Sequence, residues 1–298
     1  MDERVFRLTP LTPVHIGAGE VITPEEYKIT DRTLIRFNPH AIVAAWDAAT
    51  RRRFEQAIEA NNLDGARRML HEAADQPRFQ LYRAAIGAEA AAALRDVPPD
   101  RRRARDRPRG EVHILVRNLH AGKVVVPGSA IKGAIRTAIV NALAARNLTR
   151  EDRHAIRQLL DGWEQRGGVM KRNRAWEVLE TKALVYQRDK TERDPLRGLR
   201  VSDGDLPAEA VRVDRVVIRN RSGEQNQARG IQLHVERLLS RADRVPPPSC
   251  QIRIALAEEW TRDRRTGLKP LGWEFVIEKC NDFFMQRYAA EVQSFSFL

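Results

Sequence analysis

The stretch Lys123–Asn147, KVVVPGSAIKGAIRTAIVNALAARN, decides the fold. Lys123 to Val126 carries three consecutive valines and reads as a strand. Pro127 and Gly128 end it. A helix is expected from Ala130 to about Asn147. Ile131, Ile135, Ile139 and Leu143 recur at steps of four, and Ala134, Ala138 and Ala142 lie beside them. Small residues next to branched ones predict a helix packed closely on a sheet. Ser129 reads as the N-cap, its hydroxyl accepting an orphan backbone N–H. The first turn would then offer free N–H groups and the positive end of the helix dipole. That combination suits an anion, with phosphate the natural candidate. Lys132 falls in the first turn, and Arg136 follows one turn later on the same face. Gly133 removes a side chain where a ribose or base could approach. From these residues alone, an ordinary capped helix with two surface cations is an equally good reading.

Outward from this stretch, Val112 to Arg117 reads as the strand before it, with a hairpin turn at Asn118–Gly122. Arg4 to Thr9 reads as an earlier strand with Phe6 and Leu8 on one face. Pro10 and Pro13 follow it. His15-Ile16-Gly17-Ala18-Gly19-Glu20 reads as a tight turn, its glycines permitting backbone that other residues avoid. Thr33 to Phe37 is a further short strand. Helices are expected over 40–60, 63–74 and 78–95, as an insertion of about 40–110 between strands. Residues 95–110 hold seven arginines, three aspartates and three prolines, and only Val97 could anchor them. That composition predicts a mobile loop, either a solvated linker or a basic arm that folds onto RNA.

Downstream, helices are expected near 150–166 and 173–180, strands over 182–187, 211–219, 230–239 and 251–258, and a helix over 269–292. Gly167-Gly168 marks a soft boundary, giving an N-terminal domain of 1–168 and a C-terminal domain of 169–298. The order of elements argues for α+β layers, and two ferredoxin-like units would explain it. Residues 292–298 resemble the start of a strand whose continuation is missing. The expectation is a truncated chain, or a closing strand supplied from elsewhere, with the second unit incomplete.

The 298 residues carry 52 Lys+Arg against 40 Asp+Glu, a net charge of +12, and a pI near 10.3. Such an excess implies an anionic partner, most often nucleic acid, against the alternative of a basic surface serving only solubility. Arginine supplies most of the charge, and its planar fork suits phosphate and base stacking. Cys250 and Cys280 stand far apart with no CxxC pair or ligand-spaced histidine. They argue against a zinc site and exclude a disulfide framework, so a reducing cytoplasm is expected. No cofactor or metal is expected. The N-terminus does not read as a signal peptide, and no apolar run approaches the length needed to span a bilayer.

Two motifs together resemble the RAMP proteins of type III CRISPR systems. Leu11-Thr12-Pro13-Val14-His15-Ile16-Gly17-Ala18-Gly19-Glu20 is similar to their early "LTPVHIGSG" turn. Pro127-Gly128-Ser129-Ala130-Ile131-Lys132-Gly133-Ala134-Ile135-Arg136 is similar to their "PGSSLKGALR" loop and helix. A third stretch, Asp194-Pro195-Leu196-Arg197-Gly198-Leu199-Arg200-Val201-Ser202-Asp203, resembles the "DPFRxLxVSD" segment of one branch, the family of fifth Csm subunits. The resemblance spans residues 5 to about 205. It implies ferredoxin-like (RRM-related) domains with a helical insertion, and a place at the crRNA 3′ end of a type III-A complex. The implied role is non-catalytic binding of crRNA, supporting its 3′-end maturation and antiviral defence. The implied partners are crRNA, neighbouring RAMP backbone and small helical subunits, and host ribonucleases recruited for trimming. No membrane is implied. Carried over by position, Gly128, Ser129, Lys132, Gly133 and Arg136 face RNA, and His15, Gly17 and Gly19 form a second cluster. RAMP proteins commonly end on a glycine-rich loop after the last helix, and this sequence ends without one.

Two enzymatic readings stand beside this one. A CRISPR-repeat endoribonuclease of related fold would use His15 as acid or base, although no partner residue with catalytic spacing accompanies it. A metal nuclease would need clustered carboxylates. Asp203-Gly204-Asp205 is the only close acidic pair considered, and such a pair is more often a turn.

Overall fold

A computed structural model describes residues 2–95, 110–161, 168–185, 194–217, 233–257 and 271–294. In chain order the first strands and helices are β1 (Asp2–Leu8), β2 (Gly17–Ile22), β3 (Tyr27–Thr30), β4 (Thr33–Phe37), α1 (Pro39–Ala45), α2 (Ala48–Glu59), α3 (Leu63–Ala73), β5 (Gln80–Ile86) and α4 (Ala88–Arg95). Next come β6 (Val112–Leu115), β7 (Arg117–Asn118), β8 (Lys123–Val126), α5 (Gly128–Asn147), α6 (Arg150–Asp161) and α7 (Gly168–Ala183). The remainder are β9 (Leu199–Val201), β10 (Gly204–Pro207), β11 (Val211–Val216), β12 (Leu233–Leu238), β13 (Cys250–Leu256) and α8 (Trp273–Ser294). The class is α+β, as the sequence indicates.

These elements form two compact units that interleave along the chain. The larger joins Arg7–Val126 to Gly204–Cys250, and the smaller joins Met1–Phe6, Pro127–Asp203 and Gln251–Leu298. The sequence reading places a single boundary near Gly168, whereas these units change over at Val126/Pro127, Asp203/Gly204 and Cys250/Gln251.

In the larger unit, seven strands form one sheet in the order β2-β6-β12-β11-β5-β4-β3. β11 runs parallel to β5, and β12 runs parallel to β6, while the other pairings are antiparallel. Period-2 alternation sets the buried face. Tyr82, Ala84 and Ile86 of β5 are buried while Arg83 and Ala85 are exposed. Ile22, Leu34, Val112, Ile114 and Val213 join them, and Ala90, Ala91 and Leu94 of α4 cover them. A second cluster gathers Phe37, Ile42, Leu70 and Phe79, from β4, α1, α3 and the short turn before β5. β8 pairs with β7 and β10 in a separate small sheet.

The smaller unit holds a three-stranded sheet, β1-β13-β9, with β13 antiparallel to β9. α5 packs beside β9, α7 and α8. It buries Ile135, Ala138, Ile139, Val140 and Leu143, close to the face read from its sequence; Ile131 is only half-buried. α6 opens on a reciprocal cap. Asp152 accepts from the Thr149 N–H at 3.1 Å, and the Thr149 hydroxyl accepts from the Asp152 N–H at 3.1 Å.

Several expected elements differ. Residues 40–60 are two helices, because Asp47 accepts from the Thr50 N–H at 2.8 Å and starts a new one. The region expected as a helix over 78–95 holds β5 and only then α4, because alternating burial in β5 overrides its helix-favouring alanines and arginines. Gly17–Ile22 is a strand, not a turn. The strand expected over 182–187 is the end of α7 as far as Ala183. Residues 292–294 continue α8 and do not start a strand. The arginine-rich loop lies outside the described residues, apart from Arg95 and Gly110, and so do residues 295–298.

Candidate functional site

The start of α5 is built from two of the three motifs. Its N-cap is Pro127, with no side-chain cap, and Ser129 lies inside the first turn. The expected Ser129 cap is therefore replaced by one from 75 residues away: the Gly128 N–H donates to Asp203 Oδ1 at 2.7 Å. A carboxylate at this end meets the positive pole of the helix dipole. The Ala130 and Ile131 N–H groups turn back to the Pro127 carbonyl at 3.0 and 3.4 Å. The first turn thus has fewer free N–H groups than the sequence reading expects. Gly128 is buried, and a Cβ there would lie 2.7 Å from the Ser202 carbonyl oxygen and still closer to that of Val201. Its role within the unit is close packing of helix on strand.

Arg136 is half-buried and pairs with Glu180 of α7 and with Asp194 Oδ2, the latter at 2.7 Å. Burial disfavours its charge, but the hydrogen bonds from Glu180 and Asp194 outweigh that and raise its pKa. The other oxygen of Asp194 accepts from the Leu196 N–H at 2.9 Å. Asp194 and Asp203, the two ends of the third motif, therefore both serve α5. Lys132 differs. It makes no hydrogen bond or ion pair among the described residues, and burial lowers its pKa, opposed by Asp194 and reinforced by Arg136 and Arg200. Beside it Gly133 is exposed, and a Cβ there would meet nothing within 4 Å.

The other motif lies in the larger unit. His15 is exposed, and its Nδ1 sits 2.6 Å from the Glu236 carbonyl oxygen. A carbonyl only accepts, so Nδ1 carries the proton and Nε2 is the free ring nitrogen. Gly17 leaves room for this ring, since a Cβ there would lie 3.0 Å from Nε2. Gly19 has φ +77° at the register shift of β2 against β6, where only glycine is at ease. Beneath the histidine, the fully buried Glu236 pairs with Arg117 at 3.0 Å and accepts from the Leu115 N–H at 3.0 Å. The Arg117 guanidinium lies 3.9 Å from the centroid of the Tyr82 ring. None of Glu236, Arg117 or Tyr82 is singled out by sequence, because each sits in a short strand that reads as amphipathic. Among the described residues, no group of three or more His, Cys, Asp or Glu is placed to hold a metal ion. No helix there is long and apolar enough to cross a membrane.

The family described as the RAMP superfamily matches residues 7–259. The chain belongs to the RAMP superfamily. No curated protein matches it. Two solved structures share the RAMP chain's fold. The crystal structure of T. onnurineus Csm5 superposes with a TM-score of 0.59 at 17% identity, covering 97% of this chain and 82% of that one. A chain in the cryo-EM structure of a Csm–crRNA–target RNA ternary complex from a type III-A CRISPR-Cas system gives 0.64 at 20% identity, covering 100% and 80%. In this RAMP chain the glycines of the two N-terminal motifs divide by role. Gly17, Gly19 and Gly128 are explained by protein geometry, and Gly133 is not.

Proposed function

We propose that this RAMP-superfamily chain is a non-catalytic crRNA-binding subunit at the 3′ end of a type III-A (Csm) interference complex. In this reading it is cytoplasmic, has ferredoxin-like (RRM-related) domains and supports crRNA 3′-end maturation in antiviral defence. It packs against RAMP backbone and small helical subunits, and host ribonucleases do the trimming. The observation that carries the reading is the start of α5. Lys132 stands there without an ion-pair partner among the described residues, beside the bare backbone of Gly133. A point cation next to open backbone holds a phosphate and supplies no group that would cut one. The net charge of +12 supports the same class of partner.

The test is to purify the assembled complex with and without this chain and map the 3′ ends of its RNA. Lost or lengthened mature ends are expected without it. Lys132→Ala should weaken crRNA retention and flatten its dependence on salt by about one counterion. Unchanged 3′ ends, with unchanged retention in the variant, would overturn the reading.

One observation favours the endoribonuclease as second reading. The Glu236 carbonyl fixes the His15 tautomer with Nε2 free, as a general base requires. That reading expects metal-independent cleavage of repeat RNA by the isolated protein, abolished in His15→Ala. An intact substrate with the wild-type protein removes it.

A further inference from the structure

The larger unit holds a cavity of about 800 Å³ that none of the motifs predicts. It lies where the parallel pair β5 and β11 ends and α4 begins, and His15 lines one wall. Ligands of sheets with parallel strands collect at such carboxyl ends. Gly87 shapes the junction. Its N–H donates to the Val213 carbonyl at 2.9 Å, and a Cβ there would collide with the Asp214 carboxylate. The floor is a closed charge network. Arg237 bonds Asp214 at 2.6 Å and Asp243 at 2.7 Å, and Arg212 bonds Asp214 at 2.8 Å. Two arginines and two aspartates neutralise one another there and hold the wall rigid.

Two further arginines on the lining, Arg32 and Arg215, are exposed, and their side chains make no hydrogen bond or ion pair among the described residues. Glu89 is the only lining carboxylate outside the network. The cavity therefore carries a surplus of positive charge that no other part of the unit answers. Ile86, Val216 and Val235 supply an apolar side. The free Nε2 of His15 is an acceptor suited to a hydroxyl. Free guanidiniums, a hydroxyl acceptor and an apolar wall in a volume of small-ligand size fit one chemistry.

We propose that this cavity binds a ribonucleotide phosphate, with Arg32 and Arg215 on the phosphate and His15 on a ribose hydroxyl. The source is either a free nucleotide or one nucleotide of single-stranded RNA. The second case rests on the RNA-binding reading above, and the first does not.

The test titrates the full chain with adenosine monophosphate and, separately, with a short labelled single-stranded RNA. Wild type is compared with Arg32→Gln/Arg215→Gln and with a charge-matched control, Arg52→Gln/Arg53→Gln, on α2 outside the cavity. Thermal melts check that all three are folded. The cavity variant should bind at least one probe about tenfold more weakly, with the control near wild type. Loss for the mononucleotide alone assigns the free nucleotide, and loss for RNA assigns the polymer. Equal losses in both variants, no loss in the cavity variant, or no binding of either probe by wild type would overturn the proposal. A wild type that binds RNA regardless of Arg32 and Arg215 removes the cavity and leaves the RNA-binding reading. A wild type that binds only the mononucleotide, through these arginines, does the reverse.

Discussion

Gly128 shows how one residue can be right for a reason that sequence cannot state. Its place at the entry to α5 is legible from the preceding valines and the proline, and a phosphate-facing glycine is a fair reading of that pattern. The packing against Val201 and Ser202 is not legible, since nothing local links residue 128 to residues over seventy positions away. The same distance hides Asp203, and Ser129 therefore reads as the cap in its place. The two residues give separable expectations. Gly128→Ala forces a methyl onto two carbonyl oxygens, and overpacking of this kind costs about 1–3 kcal/mol. Asp203→Ala removes a cap and should cost about 1 kcal/mol, with Asp203→Asn retaining part of it because an amide oxygen still accepts. Urea denaturation of the three variants checks the order. If Gly128→Ala is as stable as wild type, the helix start has room to shift and the packing role is wrong.

At the scale of elements, long periodic segments are legible and short ones with mixed chemistry are not. α5 is read from its step of four, and β13 from the alternation of Ile252 and Ile254 with Arg253. β5 is misread because Arg83, Ala84 and Ala85 favour helix, while only the sheet reveals that Tyr82, Ala84 and Ile86 share its buried side. β12 presents the sharper case. Its Glu236 is buried, and what makes that tolerable comes from other strands: the Arg117 guanidinium and the Leu115 N–H. A buried pair is a poor source of net stability, but breaking one side leaves a charge without compensation. Arg117→Met should therefore destabilise the larger unit by about 3–5 kcal/mol. The double variant Arg117→Met/Glu236→Leu should recover most of that loss, because both charges leave together. Chemical denaturation of the single and double variants reads this out. A double variant as unstable as the single would mean that packing against Tyr82, and not charge, is what Arg117 supplies.

At the scale of the molecule, no local pattern announces that Gly204–Cys250 rejoins Arg7–Val126, because interleaving is encoded only in pairings such as β11 with β5. What composition does encode is charge, and charge makes stability depend on pH. Two buried histidines of the larger unit set the direction near neutrality. His71 has its pKa lowered chiefly by burial, with the Pro24 carbonyl opposing and Arg67 and Lys28 reinforcing the shift. His234 is lowered by burial and by Arg215. Each binds a proton less readily folded than unfolded. Their contribution to stability is therefore present above the unfolded value, about 6.5, and is lost as pH falls through the folded values. Asp243 shifts downward too, because Arg237 stabilises its carboxylate. Its contribution persists until pH falls below the ordinary carboxylate range of about 4, so it is silent between pH 7.5 and 5.5. The urea midpoint should consequently fall over that interval, and His71→Gln/His234→Gln should flatten the fall. General repulsion within a basic chain also grows as histidines charge, but exposed His15 and His113 would still titrate in the variant. Comparing the two slopes isolates the buried pair. An equally steep fall in the double variant would assign the pH dependence to net charge, and a flat wild-type profile would mean that neither histidine resists protonation in the folded chain.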